Sequence, residues 1–357
     1  MDKFINKLNF SFIANQQILK LIANIDGFKG KWILAEKQEN RYLKELRKIA
    51  TIESIGSSTR IEGATLTDKE VQELLNSIKI TKLVSRDEQE VVGYYEVLEL
   101  IYDHYEGIPL TESYIKQFHQ LLLKYSHKDE RHRGGYKHLS NKVVASYPNG
   151  VEKVIFATTE PAMVEGEMRE LVEWTNEQLN QEAIHPLIII GSFIYDFLSI
   201  HPFQDGNGRL SRLLTTLCLL QNDYSFIRYI SFENHIEQNK KDYYEALMTG
   251  QKRRGKESER IDNWLIFFLN SLHILTQKLE QKYDLFKNKG GYLNERQKQI
   301  KELIEKFQPI KVSDLAAKFP EIQLSTLKKD LQYLKQEQEI KMIGRGKGSI
   351  YISHDEK

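Results

Sequence analysis

The sequence lacks the features that would place this chain in an oxidising compartment or a membrane. Its single cysteine among 357 residues, Cys218, cannot form an internal disulfide, which is typical of a reducing compartment. Its place in the apolar run LLTTLCLL predicts a core residue rather than a reactive thiol. No apolar stretch approaches the ~20 residues of a membrane span, and the first residues lack the apolar segment of a signal peptide. We therefore expect a cytosolic (cytoplasmic) protein with no membrane partner.

An excess of one charge is also missing. The chain has 51 basic and 50 acidic side chains, a formal net charge of +1, so no overall field attracts nucleic acid or a membrane surface. The GxxxxGK[ST] loop, the CxxC and HExxH metal motifs and the GxSxG elbow are absent. The GRGKGS segment at 344–349 lies between two short apolar runs, which favours a hairpin turn over a phosphate-binding loop.

Helical periodicity dominates and predicts a mostly α protein. Residues 12–50 predict two helices broken near Gly27 and Gly30, and the three-to-four spacing continues to a stop at Gly63. Thr67 to Glu70 has the form of a capping box that opens another helix. Further helices are expected at about 86–105, 111–125, 161–180, 184–200, 208–221, 239–250 and 259–287.

One central segment has the pattern of β-strands. Apolar and β-branched runs flank the turn signal Pro148-Asn149-Gly150, which predicts a hairpin at about 141–157. The basic segment 250–260 is predicted to be a solvated loop, and 286–294 an interdomain linker. The expected domains are an N-terminal helical region over 1–80, a core over 81–287 and a C-terminal domain over 291–357.

The segment HPFQDGNGR at 201–209 has the composition of a site that binds an anion. The apolar run before it predicts a buried helix that ends at His201, and a second helix is predicted to begin just after Gly208. Gly206, Asn207 and Gly208 would form the turn between them. Free amide N–H groups and the positive end of the second helix dipole meet there, so we expect an anion to bind.

Charged side chains around this turn complete the chemistry of phosphoryl or nucleotidyl transfer. Arg209 and Arg212 share a helix face and can bind phosphate oxygens. Asp205 offers a hard oxygen for Mg²⁺, which takes few protein carboxylates. His201, with a reference pKa of about 6.5, can accept a proton from an attacking hydroxyl. A lone histidine or a GNG turn is more often structural, but the combination favours a catalytic site.

HPFQDGNGRLSR matches every fixed position of HPFx[DE]GNGRxxR, the motif of the Fic family, and the resemblance extends from about Leu110 to Met248. It implies a helical core with a β-hairpin flap, and transfer of AMP from ATP to a Ser, Thr or Tyr hydroxyl of a target protein. It implies a role for each motif residue: the base (His201), the Mg²⁺ ligand (Asp205), the anion cradle (Gly206, Asn207, Gly208) and the phosphate ligands (Arg209, Arg212).

The same resemblance makes the hairpin at 141–157 the flap that aligns the target by strand addition. Lys137 stands where many family members have arginine. Tyr243 and Tyr244 fall where the family places aromatic side chains near the adenine. A tyrosine pair on a helix equally serves core or surface packing, so both interpretations stay open.

A second motif lies upstream of the core. Residues 58–63, Ser-Thr-Arg-Ile-Glu-Gly, match [ST]xxxE[GN], the inhibitory-helix motif of one Fic class, with Ser58 and Glu62 at the defining positions. Glu62 is predicted in a last helical turn, where the helix dipole disfavours negative charge, so a tertiary cation would resolve the conflict. The resemblance implies that this cation is Arg212 and that its capture prevents productive binding of the γ-phosphate. Removal of AMP by the same site stays open.

Residues 291–357 predict three helices followed by a two-stranded wing, the order of a winged helix-turn-helix. Ser325 is expected to cap the third helix. Five basic residues give a modest basic surface, but acidic residues are interleaved with them, so DNA and protein both stay open as partners. These basic residues are Lys328, Lys329, Lys335, Arg345 and Lys347.

The sequence therefore predicts a cytosolic protein adenylyltransferase that uses ATP and Mg²⁺ and is inhibited by its own N-terminal helix. The alternative is a winged-helix DNA-binding regulator whose Fic core senses a nucleotide. Intact His201, Asp205 and Arg209 favour the enzyme. The target protein is not specified by the sequence, and a homodimer stays open.

Overall fold

The computed structural model describes residues 3–37, 41–77, 83–146, 152–288, 293, 295–336, 339–344 and 346–354. The chain divides into two compact units, residues 1–38 with 46–277 and residues 39–45 with 278–357. In chain order the helices are α1 (Lys3–Asn6), α2 (Phe12–Glu36), α3 (Arg41–Ile61), α4 (Asp68–Ser77), α5 (Arg86–His104), α6 (Glu112–Leu122), α7 (Pro161–Gln181), α8 (Pro186–Ile200), α9 (Asn207–Gln221), α10 (Phe232–Gln238), α11 (Lys240–Gln251), α12 (Asp262–Asn288), α13 (Glu295–Phe307), α14 (Val312–Lys318) and α15 (Leu324–Gln336). The strands are β1 (Lys142–Ser146), β2 (Glu152–Ala157), β3 (Ile310–Lys311), β4 (Ile340–Ile343) and β5 (Ile350–Ser353).

The described part of the chain is mostly helical, which confirms the predicted class. Each helix predicted between residues 86 and 287 is present, with ends that differ by at most three residues. The short helix α10 was not predicted; the Ser231 hydroxyl caps it by accepting from the N–H of Asn234 at 2.9 Å. Among the described residues, no helix has both the length and the apolar character that a bilayer crossing requires.

The predicted break near Gly27 and Gly30 is wrong, because α2 runs through both glycines. Both are exposed, and no heavy atom would lie within 4 Å of an added Cβ. The opposite face buries a regular stripe of large apolar side chains. Each of them contributes roughly 1.5–3 kcal/mol, which outweighs the ~1 kcal/mol that a helical glycine costs. The stripe consists of Ile18, Ile22, Ile25, Phe28 and Trp32.

Side-chain caps fix the helix starts upstream of the core. The predicted capping box is present: Thr67 N–H donates to Glu70 Oε2 at 2.8 Å, and Glu70 N–H donates to Thr67 Oγ1 at 3.3 Å. A second capping box, between Ser85 and Glu88, opens α5. Gly63 follows α3 with φ of 105°, a left-handed conformation that glycine adopts without a steric penalty.

The predicted hairpin is confirmed as an antiparallel pair of β1 and β2, with a register shift between Val143 and Val144. The predicted turn at 148–150 lies outside the described residues.

The basic segment 250–260 is only partly a solvated loop. α11 extends to Gln251, and Glu259 is buried, where it accepts from Gly255 N–H (2.8 Å) and from the hydroxyl of Tyr195 (3.2 Å). Arg254 donates to the Ser199 carbonyl at 2.9 Å and pairs with Glu167 at 3.0 Å. Buried polar groups require hydrogen-bond partners. Glu259 and Arg254 supply partners to Tyr195 and to the Ser199 carbonyl of α8, so this part of the segment packs against the helix.

The second unit has the predicted element order, three helices followed by an antiparallel strand pair, and adds the short strand β3 in the sheet order β3-β5-β4. Ser325 does not cap the third helix. α15 already begins at Leu324, and the Thr326 and Leu327 N–H groups donate to the Gln323 carbonyl. Of the expected basic surface, Arg345 and the Lys347 side chain lie outside the described residues. Most of the predicted linker at 286–294 also lies outside the described residues. Its first residues form the C-terminal end of α12.

Helices α8 and α9 are the most buried elements of the first unit. Nearly every side chain of α8 from Leu187 onward is buried, and α9 is buried over most of its length, Cys218 included. The six residues 201–206 join the two helices. This rigid pair therefore holds the loop that carries the motif.

Candidate active site

The motif loop begins with His201, which ends α8 in the left-handed conformation at φ of 53°. The His201 Nδ1–H donates to the Leu198 carbonyl oxygen at 3.3 Å, so the neutral ring keeps its lone pair on Nε2. Burial, reinforced by the positive charge of Lys137, lowers the pKa of His201 to about 4. The ring is therefore neutral at pH 7 and able to accept a proton.

The loop ends at Gly206, whose φ of 79° lies in the left-handed region and places it as the N-cap of α9. α9 begins at Asn207, one residue earlier than predicted. The Asn207 side chain does not face a ligand: it accepts from Phe203 N–H at 2.9 Å and donates to the Phe203 carbonyl at 2.7 Å. No side chain caps α9, so its first N–H groups are available to an anion.

A carboxylate lies at this helix N-terminus. A Cβ added to Gly208 would be 2.2 Å from Oε1 of Glu62 and 3.2 Å from Nη1 of Arg212. The Glu62 carboxylate therefore occupies the space beside Gly208, at the start of α9. Glycine at position 208 is required for this close approach, because any Cβ there would collide with the carboxylate.

The structure also brings Glu62 and Arg212 together. Arg212 is 3% exposed; its Nη2 donates to Glu62 Oε1 and to the Ser58 carbonyl, both at 2.9 Å, and its Nε donates to the Ser58 hydroxyl at 2.8 Å. Burial favours the neutral form of Glu62, but the charges of Arg212 and Arg209 outweigh it and hold the pKa of Glu62 below its usual value. Lys240 adds a third cation, which donates to the Ile61 carbonyl at 2.9 Å at the end of α3.

Arg209, which the resemblance assigns to a phosphate, has carboxylate partners in this structure. It is 1% exposed and faces two carboxylates, Asp205 at 3.2 Å and the buried Glu90 at 3.1 Å. Arg86 completes the group, with Nε 2.7 Å from Glu90 and Nη2 3.4 Å from Asp205. Neither of these two α5 residues was predicted to belong to the site. Their spacing of four on a helix would have been the only signal, and such pairs are common on exposed helix faces.

Asp205 keeps its charge in this surrounding. Its Oδ1 accepts the Gly206 N–H at 2.6 Å. Burial opposes ionisation, but Arg209 and this N–H hold the pKa of Asp205 below its usual value. Within the described ranges there is no group of three or more His, Cys, Asp or Glu side chains that could hold a metal ion. Asp205 is an ionised carboxylate beside the start of α9.

The two tyrosines lie in the core of the first unit. Tyr243 is 4% and Tyr244 is 8% exposed. The Tyr243 ring packs edge-on against Tyr244, Trp264 and Phe267, with centroids 5.3, 5.7 and 5.9 Å away. This burial favours the packing interpretation of the pair.

The base of the hairpin is attached to the turn that contains His201. Lys137 is 2% exposed, and its Nζ donates to Asn141 Oδ1 at 2.8 Å, Thr158 Oγ1 at 2.7 Å and the Ile200 carbonyl at 3.1 Å. The Asn141 amide donates to the Phe203 carbonyl at 2.9 Å. Both ends of the hairpin are therefore positioned relative to His201, with lysine in the place where the family resemblance implies arginine.

Comparison with known proteins agrees with the motif. Residues 109–219 match the model of the Fic/DOC family. Curated relatives named protein adenylyltransferase Fic include those of Drosophila willistoni, 26% identical over 57% of this chain and 38% of the relative, and Drosophila melanogaster, 27% identical over 52% and 36%. The matches thus span little more than a third of these relatives' length.

Solved structures have the same fold. A Fic family protein from Desulfovibrio desulfuricans matches 94% of this chain and 95% of its own, with a TM-score of 0.64 and 22% identity. A Fic domain containing signaling protein from Bacteroides thetaiotaomicron matches 71% of this chain and 93% of its own, with a TM-score of 0.56 and 25% identity. These matches confirm the predicted resemblance and the helical fold with its hairpin.

Proposed function

We propose that this chain, whose residues 109–219 form a Fic domain, is a protein adenylyltransferase that transfers AMP from ATP to a hydroxyl of a target protein. The observation that carries the proposal is the anion-binding site at the start of α9, where the Glu62 carboxylate lies beside Gly208. A site that holds one anion between Gly208 and Arg212 is suited to the phosphates of a nucleotide. The curated relatives named protein adenylyltransferase support the reaction class.

The chemistry assigned to His201 follows from its protonation state. Its neutral Nε2 accepts the proton of the target Ser, Thr or Tyr hydroxyl. The hydroxyl oxygen then forms a bond to the α-phosphorus, and the bond from that phosphorus to the bridging oxygen breaks. Pyrophosphate leaves and AMP stays on the target. The N–H groups at the start of α9 stabilise the charge that develops on the phosphates, and the hairpin aligns the target.

Asp205 fits the role of a Mg²⁺ ligand. It is ionised and its side chain is 31% exposed, and one carboxylate suffices because Mg²⁺ completes its shell with water and phosphate oxygens. When bound, the ion would neutralise phosphate charge. The Nε of the buried Arg209 has no hydrogen-bond acceptor among the described residues. Arg209 and Arg212 are the cations assigned to the phosphates, and Arg209 also orients Asp205.

Inhibition is assigned to Glu62 and Ser58, which together engage Arg212. The γ-phosphate cannot bind productively until Arg212 is released. Removal of AMP from the target, with Glu62 positioning the water, would be a separate activity of the same site. The same assay detects it as loss of label from the target.

The proposal is tested with ATP labelled at the α-phosphate. Glu62→Gly protein should label itself or proteins of an added lysate much faster than wild type, and Glu62→Gly with His201→Ala should not. Glu62→Gln, which keeps the size and loses the charge, should lie between wild type and Glu62→Gly. Label that survives the histidine substitution, or no label in any variant, contradicts the proposal.

Other parts of the chain are assigned as follows. Residues 1–80 form the inhibitory region, 81–287 the Fic core and 291–357 a winged helix-turn-helix, in the cytosol. The element order of the second unit supports the last assignment. No contact in the described residues favours the DNA-binding regulator as a second function; strongly salt-dependent retention on duplex DNA would.

A further inference from the structure

We propose that His119 is a positioning residue that orients the nucleotide-binding loop through a hydrogen bond from its Nε2–H to the main-chain carbonyl of Asp205. This inference rests on the proposed function, because the loop concerned is the one assigned to the phosphates of ATP. His119 belongs to α6, far from the motif in sequence, and its side chain is fully buried.

The two ring nitrogens of His119 have different partners. Nδ1 lies 2.8 Å from the main-chain nitrogen of Gly134, and Nε2 lies 3.0 Å from the Asp205 carbonyl oxygen. An amide N–H can only donate, so Nδ1 is the acceptor and the proton of the neutral ring is on Nε2. Burial lowers the pKa of His119 to about 4, so the ring is neutral at pH 7. The contact with Gly134 therefore fixes the tautomer of His119 in which Nε2–H donates to the Asp205 carbonyl.

The ring is also held by packing. It stacks on Phe203, with centroids 3.8 Å apart and planes inclined by 13°. A Cβ added to Gly206 would lie 3.4 Å from Nε2 of His119. His119 thus contacts the loop at its start, through Phe203, and at its end, through Asp205 and Gly206.

The hydrogen bond from His119 to the Asp205 carbonyl also orients the N–H of Gly206, on the other side of the same peptide. The carbonyl of Asp205 and the N–H of Gly206 belong to one planar trans peptide, so they point in opposite directions. Holding the carbonyl toward His119 turns the N–H away from it. That N–H donates to Asp205 Oδ1 at 2.6 Å and so orients the carboxylate assigned to Mg²⁺.

The loop has little else to fix this peptide. Gly206, the N-cap of α9, has no side chain with which to cap the helix. The described hydrogen bonds of the Asn207 side chain go to Phe203, four residues earlier. Among the described residues, His119 is therefore the side chain from outside the motif that bonds the main-chain carbonyl of Asp205, whereas Arg86 reaches only its carboxylate.

Two substitutions separate the two sides of the ring. In Glu62→Gly protein, His119→Asn places its polar atoms near the position of Nδ1, so it keeps the Gly134 contact and loses the one to Asp205. His119→Gln places them near Nε2 and does the reverse. Each variant loses one hydrogen bond, so each is the matched control of the other. ATP affinity is measured by calorimetry, together with the thermal unfolding midpoint of each variant.

The positioning role predicts that His119→Asn binds ATP roughly fivefold to tenfold more weakly than Glu62→Gly alone, the usual effect of one hydrogen bond. His119→Gln should bind within about twofold of Glu62→Gly, at a similar unfolding midpoint. Equal affinity of the two variants overturns the inference alone. No ATP binding by Glu62→Gly with His119 intact overturns the proposed function and, with it, this inference.

A spectroscopic measurement covers the case in which His119→Asn does not fold. In Glu62→Gly protein with ¹⁵N-labelled histidine, the His119 signals should show the proton on Nε2 and should shift when ATP is added. A ring protonated on Nδ1, or signals that ATP leaves unchanged, would overturn the inference.

Discussion

Replacing Glu62 with alanine should raise activity and lower stability at the same time. Arg212 is 3% exposed and donates to Glu62 at 2.9 Å, while the Glu62 side chain keeps 34% of its surface in solvent. A hydrogen bond to a charged group contributes roughly 1.5–3 kcal/mol. Because water screens a partner that is a third exposed, we expect about 1–2 kcal/mol for this pair.

The same free energy keeps Arg212 away from phosphate. Its loss should raise the rate of AMP transfer roughly fivefold to thirtyfold, at 1.4 kcal/mol per factor of ten. It should lower the free energy of unfolding by about 1–2 kcal/mol, since Arg212 keeps its two bonds to Ser58. Transfer is measured with labelled ATP, and stability by denaturant unfolding of the same preparation.

The matched control is Glu73→Ala. Glu73 pairs with Lys69 at 3.8 Å, and both side chains are mostly exposed, so the pair contributes little. This variant should change neither quantity. A Glu62→Ala protein that loses stability without gaining activity would show that the contact with Arg212 is structural only.

Three further outcomes are expected. In Glu62→Gly protein, Lys137 and Asp205 are the charged groups left near His201. The transfer rate should stay constant from pH 8 to pH 6 and fall only as the pH approaches the lowered pKa of His201, about 4. A fall centred near ~6.5 would show that the pKa of His201 is not lowered. Gly208→Ala should abolish ATP binding in calorimetry even in Glu62→Gly protein, since the added Cβ fills the cradle; unchanged affinity would place the phosphates elsewhere. Cys218, whose burial raises its pKa to about 12, should react with iodoacetamide only after denaturation; rapid labelling of native protein at pH 8, followed by mass spectrometry, would contradict its place in the core.

The motif loop was predictable because its parts are contiguous. An apolar run that ends at His201, two glycines and a second apolar run are enough to predict a helix, a turn and a helix, and the structure has them. The contact of Glu62 with Arg212 crosses 150 positions. It could be predicted because a carboxylate at a helix C-terminus is electrostatically unfavourable without a cation, and because the family resemblance names the partner.

Glu90, Arg86 and His119 could not be predicted in the same way. Each lies on a helix outside the motif, where a charged or aromatic residue at helical spacing looks like any exposed or core position. Their partners are fixed only when α5 and α6 pack beside α9. The unbroken course of α2 through Gly27 and Gly30 has the same cause, since the burial that outweighs the two glycines comes from packing.

We expect the start of α9 to bind the phosphates of ATP within reach of His201. The most direct test is a crystal structure of Glu62→Gly protein with ATP and Mg²⁺. We expect phosphate oxygens at hydrogen-bond distance from the N–H groups at the start of α9 and from Arg212, with Nε2 of His201 facing the α-phosphate. ATP bound elsewhere, or a loop left empty at saturating ATP, would contradict the claim.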